Sequence, residues 1–355
     1  MQRKSATTLK DVAKEAGVSL VAASVVVNGS RSNSRISEAT RERILKAAGD
    51  LRYSPNTMAR GLKRVRLNTL GVSFHSLDAD AIILEPYSAV VLGGIVSAAH
   101  RAAYNVTLFH KPWHDAHQSA SSFRDQGIDG FLIVAPTHGS DMVSGLAAVG
   151  IPLIVISSSS DQYGVPSVDV DNEKGVRQAI EHLLSQGHRR IAHVMNHLDL
   201  YDTAARRDTF LRIMAENGIS VPSDFLSTPS DELRVGGGTF VPQSSYERAR
   251  HLLTLPEPPT AIFTTNDTIA AEVVDAARDL GIRIPEHLSI VGFDDSPKAT
   301  QTTPQLTTVR QPLWDMGQAA TRLLISLVEG EPVLPKTHLF VPELIVRGST
   351  MPPSS

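Results

Sequence analysis

Four groups of residues have types that could do chemistry. His110, His114 and His117 stand close together in FHKPWHDAHQ, an arrangement that invites a metal ion. The chain contains no cysteine, and no carboxylate framework of familiar metal-site spacing surrounds these imidazoles, so no metal centre is expected. Asp294 and Asp295 could form a carboxylate pair for acid–base work, but adjacent residues at a strand end point in different directions, which argues against a shared site. Gly236–Gly238 could cradle a phosphate. Neither GxxxxGKS/T nor GxGxxG accompanies it, and a loop is the expected role. The run Ser157–Ser160 lacks the GxSxG nucleophile elbow. No catalytic set assembles, so the chain reads as a non-enzyme with no cofactor.

The remaining chemistry is recognition. Ser19, Ser24 and Asn28 carry short polar side chains suited to phosphate contacts, which position a protein on DNA without reading sequence. The segment that must position them is Thr8 to Asn28, TLKDVAKEAGVSLVAASVVVN. Thr8 is placed to cap a helix, with Asp11 completing a capping box. Leu9, Val12, Ala13 and Ala16 fall on one helical stripe. Gly17 supplies the left-handed residue that ends this helix, and Ser19 caps the next. In that second helix Ala23, Val26 and Val27 are available to pack inward. Two short helices around a tight turn make a helix-turn-helix, whose second helix enters a DNA major groove. Over these residues alone a generic helical hairpin would read the same. Ser37 then caps a third helix, SEATRERILKAAGDL, whose Ile44, Leu45, Ala48 and Leu51 can close a three-helix core. Pro55 breaks the chain in YSPNTMARGL, and Asn56 can cap a further short helix.

The bulk properties agree with a soluble protein that has one DNA-binding end. Of 355 residues, 41% are hydrophobic and 20% charged, enough for a small headpiece and a large α/β unit. Residues 1–66 carry 14 Lys/Arg and 5 Asp/Glu, a net +9, whereas the whole chain is −3, so residues 67–355 carry −12. A basic head on an acidic body is the electrostatic footprint of nucleic-acid binding confined to one end. MQRKSATTLK runs into an amphipathic helix with no apolar signal region. The longest apolar stretch, near Ala89 to Ala99, is glycine-interrupted and too short to span a bilayer. No membrane partner is expected, and the expected location is cytoplasmic.

From Leu67 onward short apolar runs alternate with helix-length segments. The expected strands are Leu70–Phe74, Val106–Phe109, Phe131–Ala135, Leu153–Ile156, Ile191–Met195, Ala261–Thr265 and Leu288–Phe293. Helical segments include Asn172–Gln186, Thr203–Asn217, Ser244–Leu255 and Thr268–Leu280. This alternation implies parallel sheets with helices on both faces and ligands outside the carboxyl ends of the strands. The PPSS tail is expected to fray.

Four motifs in order, LKDVAKEAGVS, Ser24 to Asn28, ISEATRERI and YSPNTMARGL, resemble the lactose-repressor/galactose-repressor family of bacterial transcription regulators. The resemblance continues to about Ser349 through VDVDNEKG, GHRRIAHV, TTNDTIAA, IPEHLSIVGFDD and QLTTVRQPLWDMG. It implies a small all-α helix-turn-helix headpiece (1–54), a hinge helix and linker (55–66), and a two-lobed α/β periplasmic-binding-protein-like core (67–349), with 350–355 as tail. Lobe one would comprise about 67–168 and 298–328, lobe two about 169–297 and 329–349. The chain would cross between them near Asp169, Pro297 and Glu329.

By family correspondence Leu20, Val21 and Val25 face the bases. The sequence departs from the family here, which more often has threonine at Ala22, valine at Ala23 and a polar or basic residue at Val25. An apolar face touches thymine methyls but makes no bidentate hydrogen bonds, so direct readout should be weaker than usual. The segment Gly29–Arg35 is longer than usual, and Arg31 or Arg35 either supplies contacts the helix lacks or is a solvated loop residue. Leu62 corresponds to the hinge leucine that wedges into the minor groove. Ala59 is small enough for two hinge helices to pack, and Arg60 can reach phosphate. The partner implied is a pseudo-palindromic double-stranded operator bound by a homodimer.

For the effector pocket, the correspondences are Tyr87, Ser157, Arg206, Phe240, Asn266 and Asp294, each equally open to a structural role. Glu85 stands where the family has asparagine, and Leu77–Glu85 has no assigned role. An aromatic face with Arg, Asn and Asp around it suits a polyhydroxylated ligand, a sugar or sugar derivative. The alternative is a purine base acting as co-repressor. A solute-binding receptor fits the body but not the basic head.

Overall fold

The computed structural model describes residues 7–28, 36–51, 53, 66–74, 85–109, 113–124, 127–159, 163–195, 200–228, 233–235, 239–241, 244–334 and 336–354. It divides into two compact units, Met1–Leu67 and Asn68–Ser355.

In the first unit, α1 (Leu9–Glu15) begins with the expected reciprocal capping box between Thr8 and Asp11. Gly17 has φ +63°. The Ala22 N–H then donates to Ser19 Oγ at 3.2 Å, starting α2 (Leu20–Asn28). Ser37 caps α3 (Glu38–Asp50) through the Thr40 N–H. Val12, Ala13, Ala16, Ala23, Val26, Ile44 and Ala47 form the buried core, with Leu9, Val27, Ala48 and Leu51 packed at its edge. Leu45, expected inside, is 51% exposed. Ile44 and Ala47, three apart, share the inward face, and Leu45 lies 100° around the helix from Ile44.

The second unit holds two six-stranded sheets. The first contains β1 (Thr69–Phe74), β2 (Asn105–Leu108), β3 (Gly130–Val134), β4 (Leu153–Ile156), β5 (Ser167–Val170) and β13 (Thr337–Phe340), in spatial order β13-β5-β4-β3-β1-β2 and parallel throughout. The second contains β6 (Ile191–Val194), β7 (Leu226–Ser227), β10 (Ala261–Thr264), β11 (Ser289–Asp294), β12 (Thr307–Arg310) and β14 (Glu343–Ile345), in order β14-β12-β11-β10-β6-β7. Only β14 runs antiparallel there. A short hairpin pairs β8 (Leu233–Val235) with β9 (Thr239–Val241). The central strands are buried along their whole length, as strands covered on both faces must be.

Two of the three lobe crossings differ from those expected. The first crossing follows Val170, before α7 (Asn172–Ser185). The second lies not near Pro297 but at Gln311–Pro312, because β12 pairs with β11 and keeps residues up to Arg310 in lobe two. The third lies not near Glu329 but at 341–342, because β13 joins the first sheet beside β5 and β14 joins the second. Neither β12, β13 nor β14 has a long apolar run, so their membership depends on pairing partners far away in the chain. The tail also departs from the fraying expected: His188 Nε2 bonds Met351 O at 2.9 Å, the Met351 N–H donates to Ser289 Oγ, and Ser354 Oγ donates to Glu286 O.

Lobe one is held by two long helices, α4 (Pro86–Arg101) and α12 (Leu313–Glu329). The glycines in the Ala89–Ala99 stretch have their reason here. A Cβ on Gly94 would come within 2.2 Å of Trp314 O, and one on Gly317 within 2.4 Å of Val91 O. Backbone meets backbone, so neither clash can be relieved by a rotamer. Gly94→Ala is expected to cost about 1–3 kcal/mol by overpacking, read as a lower Tm for the Asn68–Ser355 unit. An unchanged Tm would mean that the helices are free to separate. Among the described residues no helix is long and apolar enough to cross a membrane.

Candidate functional site

The outer face of α2 is built by its helical register. Ala23 and Val26 point into the headpiece, so Val21 and Val25, one turn apart, share the opposite side. Leu20 and Val21 are 52% and 67% exposed and Val25 is half-buried. Ser19 is exposed, its oxygen committed to the cap. Ser24 corrects the phosphate-contact expectation. It is only 6% exposed, because its helical position puts it beside Ala23 on the inward side. Asn28 is the last residue of α2. Arg35, Asn56, Ala59, Arg60 and Leu62 lie outside the described residues. The face α2 presents is therefore apolar. Val25→Arg is expected to change operator preference more than overall affinity, by supplying a bidentate donor toward guanine. Selection from random DNA would return the same consensus for both proteins if Val25 did not face the bases.

The second cluster lies in the Asn68–Ser355 unit, at the carboxyl ends of both sheets. From lobe one, Tyr87 in the first turn of α4 shares a 2.5 Å hydrogen bond with Ser157, which follows β4 with φ +56°. From lobe two, Arg206 on α8 (Tyr201–Glu216) is 2% exposed. Its Nε donates to Asn172 Oδ1 at 2.9 Å, its Nη1 donates to Thr265 O at 2.5 Å, and its Nη2 stands 3.5 Å from Asp202. The guanidinium lies 3.7 Å above the Phe293 ring, a cation–π contact that holds it flat. Asp294 ends β11 with φ +112° and accepts from Gln311 Nε2 at 2.6 Å. Burial pushes its carboxyl well above the usual range. Non-glycine residues held at positive φ cost of order 1–3 kcal/mol and tend to gather where strain serves a site.

Asp169 adds a third carboxyl, 4% exposed, accepting from the Val170 N–H and from Asn172 Nδ2. Burial pushes it up to about 8. Tyr87, raised chiefly by burial, also feels Asp202, Asp294 and Asp169. Two of the chain crossings thus carry cleft residues: Asp169 and Asn172 flank the first, and Gln311 sits on the second. The lobes also touch elsewhere. Thr268 on α10 (Asp267–Asp279) donates to Glu85 Oε1 at 3.0 Å, and Thr137 forms an isolated bridge with Leu200.

Of the six expected pocket residues, Tyr87, Ser157, Arg206 and Asp294 come together. Asn266 lies beside Thr265, with its oxygen capping α10 through the Ile269 N–H, which leaves its Nδ2 and the second lone pair of that oxygen for a ligand. Phe240 lies on β9, with no described side-chain surroundings. Asp169, Asn172, Asp202, Phe293 and Gln311 were not picked out beforehand. Asp202, four residues before Arg206, was the one with a readable signal. Asp294 and Asp295 do diverge: Asp295 pairs with Arg310 at 2.7 Å and with Arg347 at 2.5 Å, away from Gln311.

Comparison with known proteins agrees with this anatomy. Residues 8–56 match "Bacterial regulatory proteins, lacI family" and residues 180–350 match "Periplasmic binding protein-like domain". The catabolite control protein A of Priestia megaterium is 30% identical over 92% of this chain and 94% of its own. The transcriptional regulator GalS of Salmonella typhimurium and the transcriptional repressor PurR of Erwinia tasmaniensis are each 30% identical, over 96% of both chains. Among solved structures, the lac repressor dimer bound to operator and the anti-inducer ONPF superposes with a TM-score of 0.81 at 26% identity, covering 97% of this chain and 99% of that one. The transcriptional regulator CelR in complex with cellobiose gives 0.70 at 27%, with the same coverage.

Proposed function

Because the chain belongs to the lacI family of bacterial transcription regulators, we propose that it is a ligand-responsive, sequence-specific repressor that binds a pseudo-palindromic operator as a homodimer and answers to a sugar or sugar derivative. The observation that carries this reading is the inter-lobe cluster itself. A fixed guanidinium, a strained carboxyl at a strand end, and a tyrosine–serine pair from the opposite lobe offer donors and acceptors on both walls, the chemistry a polyol needs. A ligand bridging these walls would favour one lobe arrangement over another, and only such differential affinity can shift operator binding. Asn172 and Gln311 stand at chain crossings, so a bound ligand would act on the segments about which the lobes turn. GalS and PurR stand at equal identity to this chain, which keeps a purine base as the competing effector. The test is a thermal-shift screen of sugars against nucleobases, since a ligand that binds only the folded protein raises Tm. Any hit is then titrated into the protein on its selected operator. Sugars that shift Tm and change operator affinity support the reading. A response to nucleobases alone overturns it.

A further inference from the structure

The described part of the cleft holds more carboxyls than cations. Asp169, Asp202 and Asp294 all act electrostatically on the Tyr87 phenol. One guanidinium, Arg206, is linked to Asp169 through Asn172, pairs with Asp202 and lies over Phe293, the residue before Asp294. That guanidinium is already engaged by Asn172, Thr265 O, Asp202 and the Phe293 ring. Asp169 and Asp294 are 4% and 5% exposed, and each accepts from an amide donor, Asn172 Nδ2 and Gln311 Nε2. Among the described residues neither is in a direct ion pair, Arg206 acting on both from a greater distance. Gln311 is itself 4% exposed, and its Oε1 has no partner. Ser158 Oγ, next to the Tyr87-bonded Ser157, is likewise buried with no partner. The site has a surplus of acceptors.

Buried carboxyls without a cation are costly, and proteins keep them where a partner arrives or where they stay protonated. Buried oxygens with no hydrogen-bond partner carry a similar penalty, and each calls for an explanation. One ligand property answers both: a positively charged nitrogen on a body rich in hydroxyl donors. We propose that the effector is an amine-bearing polyol, an aminosugar or a close relative, whose ammonium group is taken by Asp169 and Asp294 while its hydroxyls serve Gln311 and the serines. This inference rests on the ligand cleft described above and narrows the ligand class within it.

Asp169 makes the inference testable without a ligand in hand. Its folded-state carboxyl is raised to about 8, by burial first and by Asp202, against the opposing effect of Arg206. A carboxyl whose folded value lies above its unfolded value favours folding least where the unfolded chain ionises it freely. Stability from this group therefore falls as pH rises from about 4 through about 8. Asp169→Asn removes that penalty and keeps one acceptor oxygen for the Val170 N–H, at the loss of the longer bond from Asn172 Nδ2. If Asp169 is a ligand-seeking group, the ligand-free full-length variant should have a higher Tm than wild type at pH 8, and the gain should shrink at pH 5. A lower Tm at both pH values would show a structural carboxyl and overturn the proposal.

The second arm uses D-glucosamine and D-galactosamine beside their neutral parents, glucose and galactose, with adenine and guanine as controls. At least one amine should raise the wild-type Tm at concentrations where its neutral parent does not. Asp169→Asn should lower that amine's affinity at least tenfold and affect neutral sugars little. If the neutral parents bind as well as the amines, the inference fails and the sugar reading stands. If only nucleobases bind, both fail. If no amine binds, the inference also fails.

Discussion

Ile44→Ala is expected to abolish specific DNA binding while leaving ligand binding in the Asn68–Ser355 unit intact. The headpiece core consists of four alanines, two valines and Ile44, which is fully buried and the largest side chain among them. Truncating a buried isoleucine costs about 2–5 kcal/mol. A three-helix unit of this size has a margin of only about 3–5 kcal/mol, because so small a domain buries too little apolar surface. The loss therefore takes most or all of the headpiece's stability. α2 exists only as packed against α1 and α3, so its outer face disappears with the core. Ile44→Val should cost about 0.5–1.5 kcal/mol and retain most binding. Operator titration followed by fluorescence anisotropy reads the loss, and the ligand-induced Tm shift reads the retained cleft. Because DNA binds the folded headpiece only, concentrated operator should recover part of the alanine variant's binding. Wild-type affinity in Ile44→Ala would mean that this core does not hold the DNA-reading face.

How much of this was legible beforehand depends on the distance over which each feature is decided. The headpiece was legible in detail because its determinants are local. The Thr8–Asp11 box, Gly17 at positive φ and the Ser19 and Ser37 caps each act within four residues. Ser24 and Leu45 were misplaced because their facing depends on a few tens of degrees of helical phase, which an alanine-rich sequence leaves undecided. In the larger unit the central strands stood out as apolar runs. The edge strands β12, β13 and β14 did not, since TTVR, THLF and ELI read as ordinary mixed sequence and acquire their lobe only by pairing. The same limit applied to the cleft. Arg206 and Asp294 carried a family correspondence, whereas Asp169 and Gln311 were found only when strand ends were brought together. Neither is polar in a polar segment by accident: each sits at a crossing, where backbone leaves a sheet and side chains turn toward the space between lobes.

Arg206→Ala should remove the ligand response of operator binding and lower the Tm of the Asn68–Ser355 unit. Arg206 is the hub of the lobe-two wall, and its three polar contacts come from three places: Asn172 at the start of α7, Asp202 on its own helix and Thr265 after β10. Its loss leaves the Asn172 oxygen and the Thr265 carbonyl without this partner, at about 1–3 kcal/mol for a buried group left unsatisfied, while Asp202, 20% exposed, can turn to water. A Tm drop alone would therefore not establish a binding role. The decisive comparison is Arg206→Lys, which keeps the charge but loses the planar fork that reaches Asn172 and Thr265 together. Lysine should recover part of the stability, because a cation still faces Asp202, yet restore little of the response, because the fork that would meet the ligand is gone. Stability and response would then separate across the two variants. In both, ligand-free operator affinity should stay within several-fold of wild type if the protein is induced rather than co-repressed, since ligand and DNA sites are linked but distinct. Full ligand response in Arg206→Ala, measured below its Tm, would sink the assignment, because the wall it organises could not then be what tells the two lobe arrangements apart.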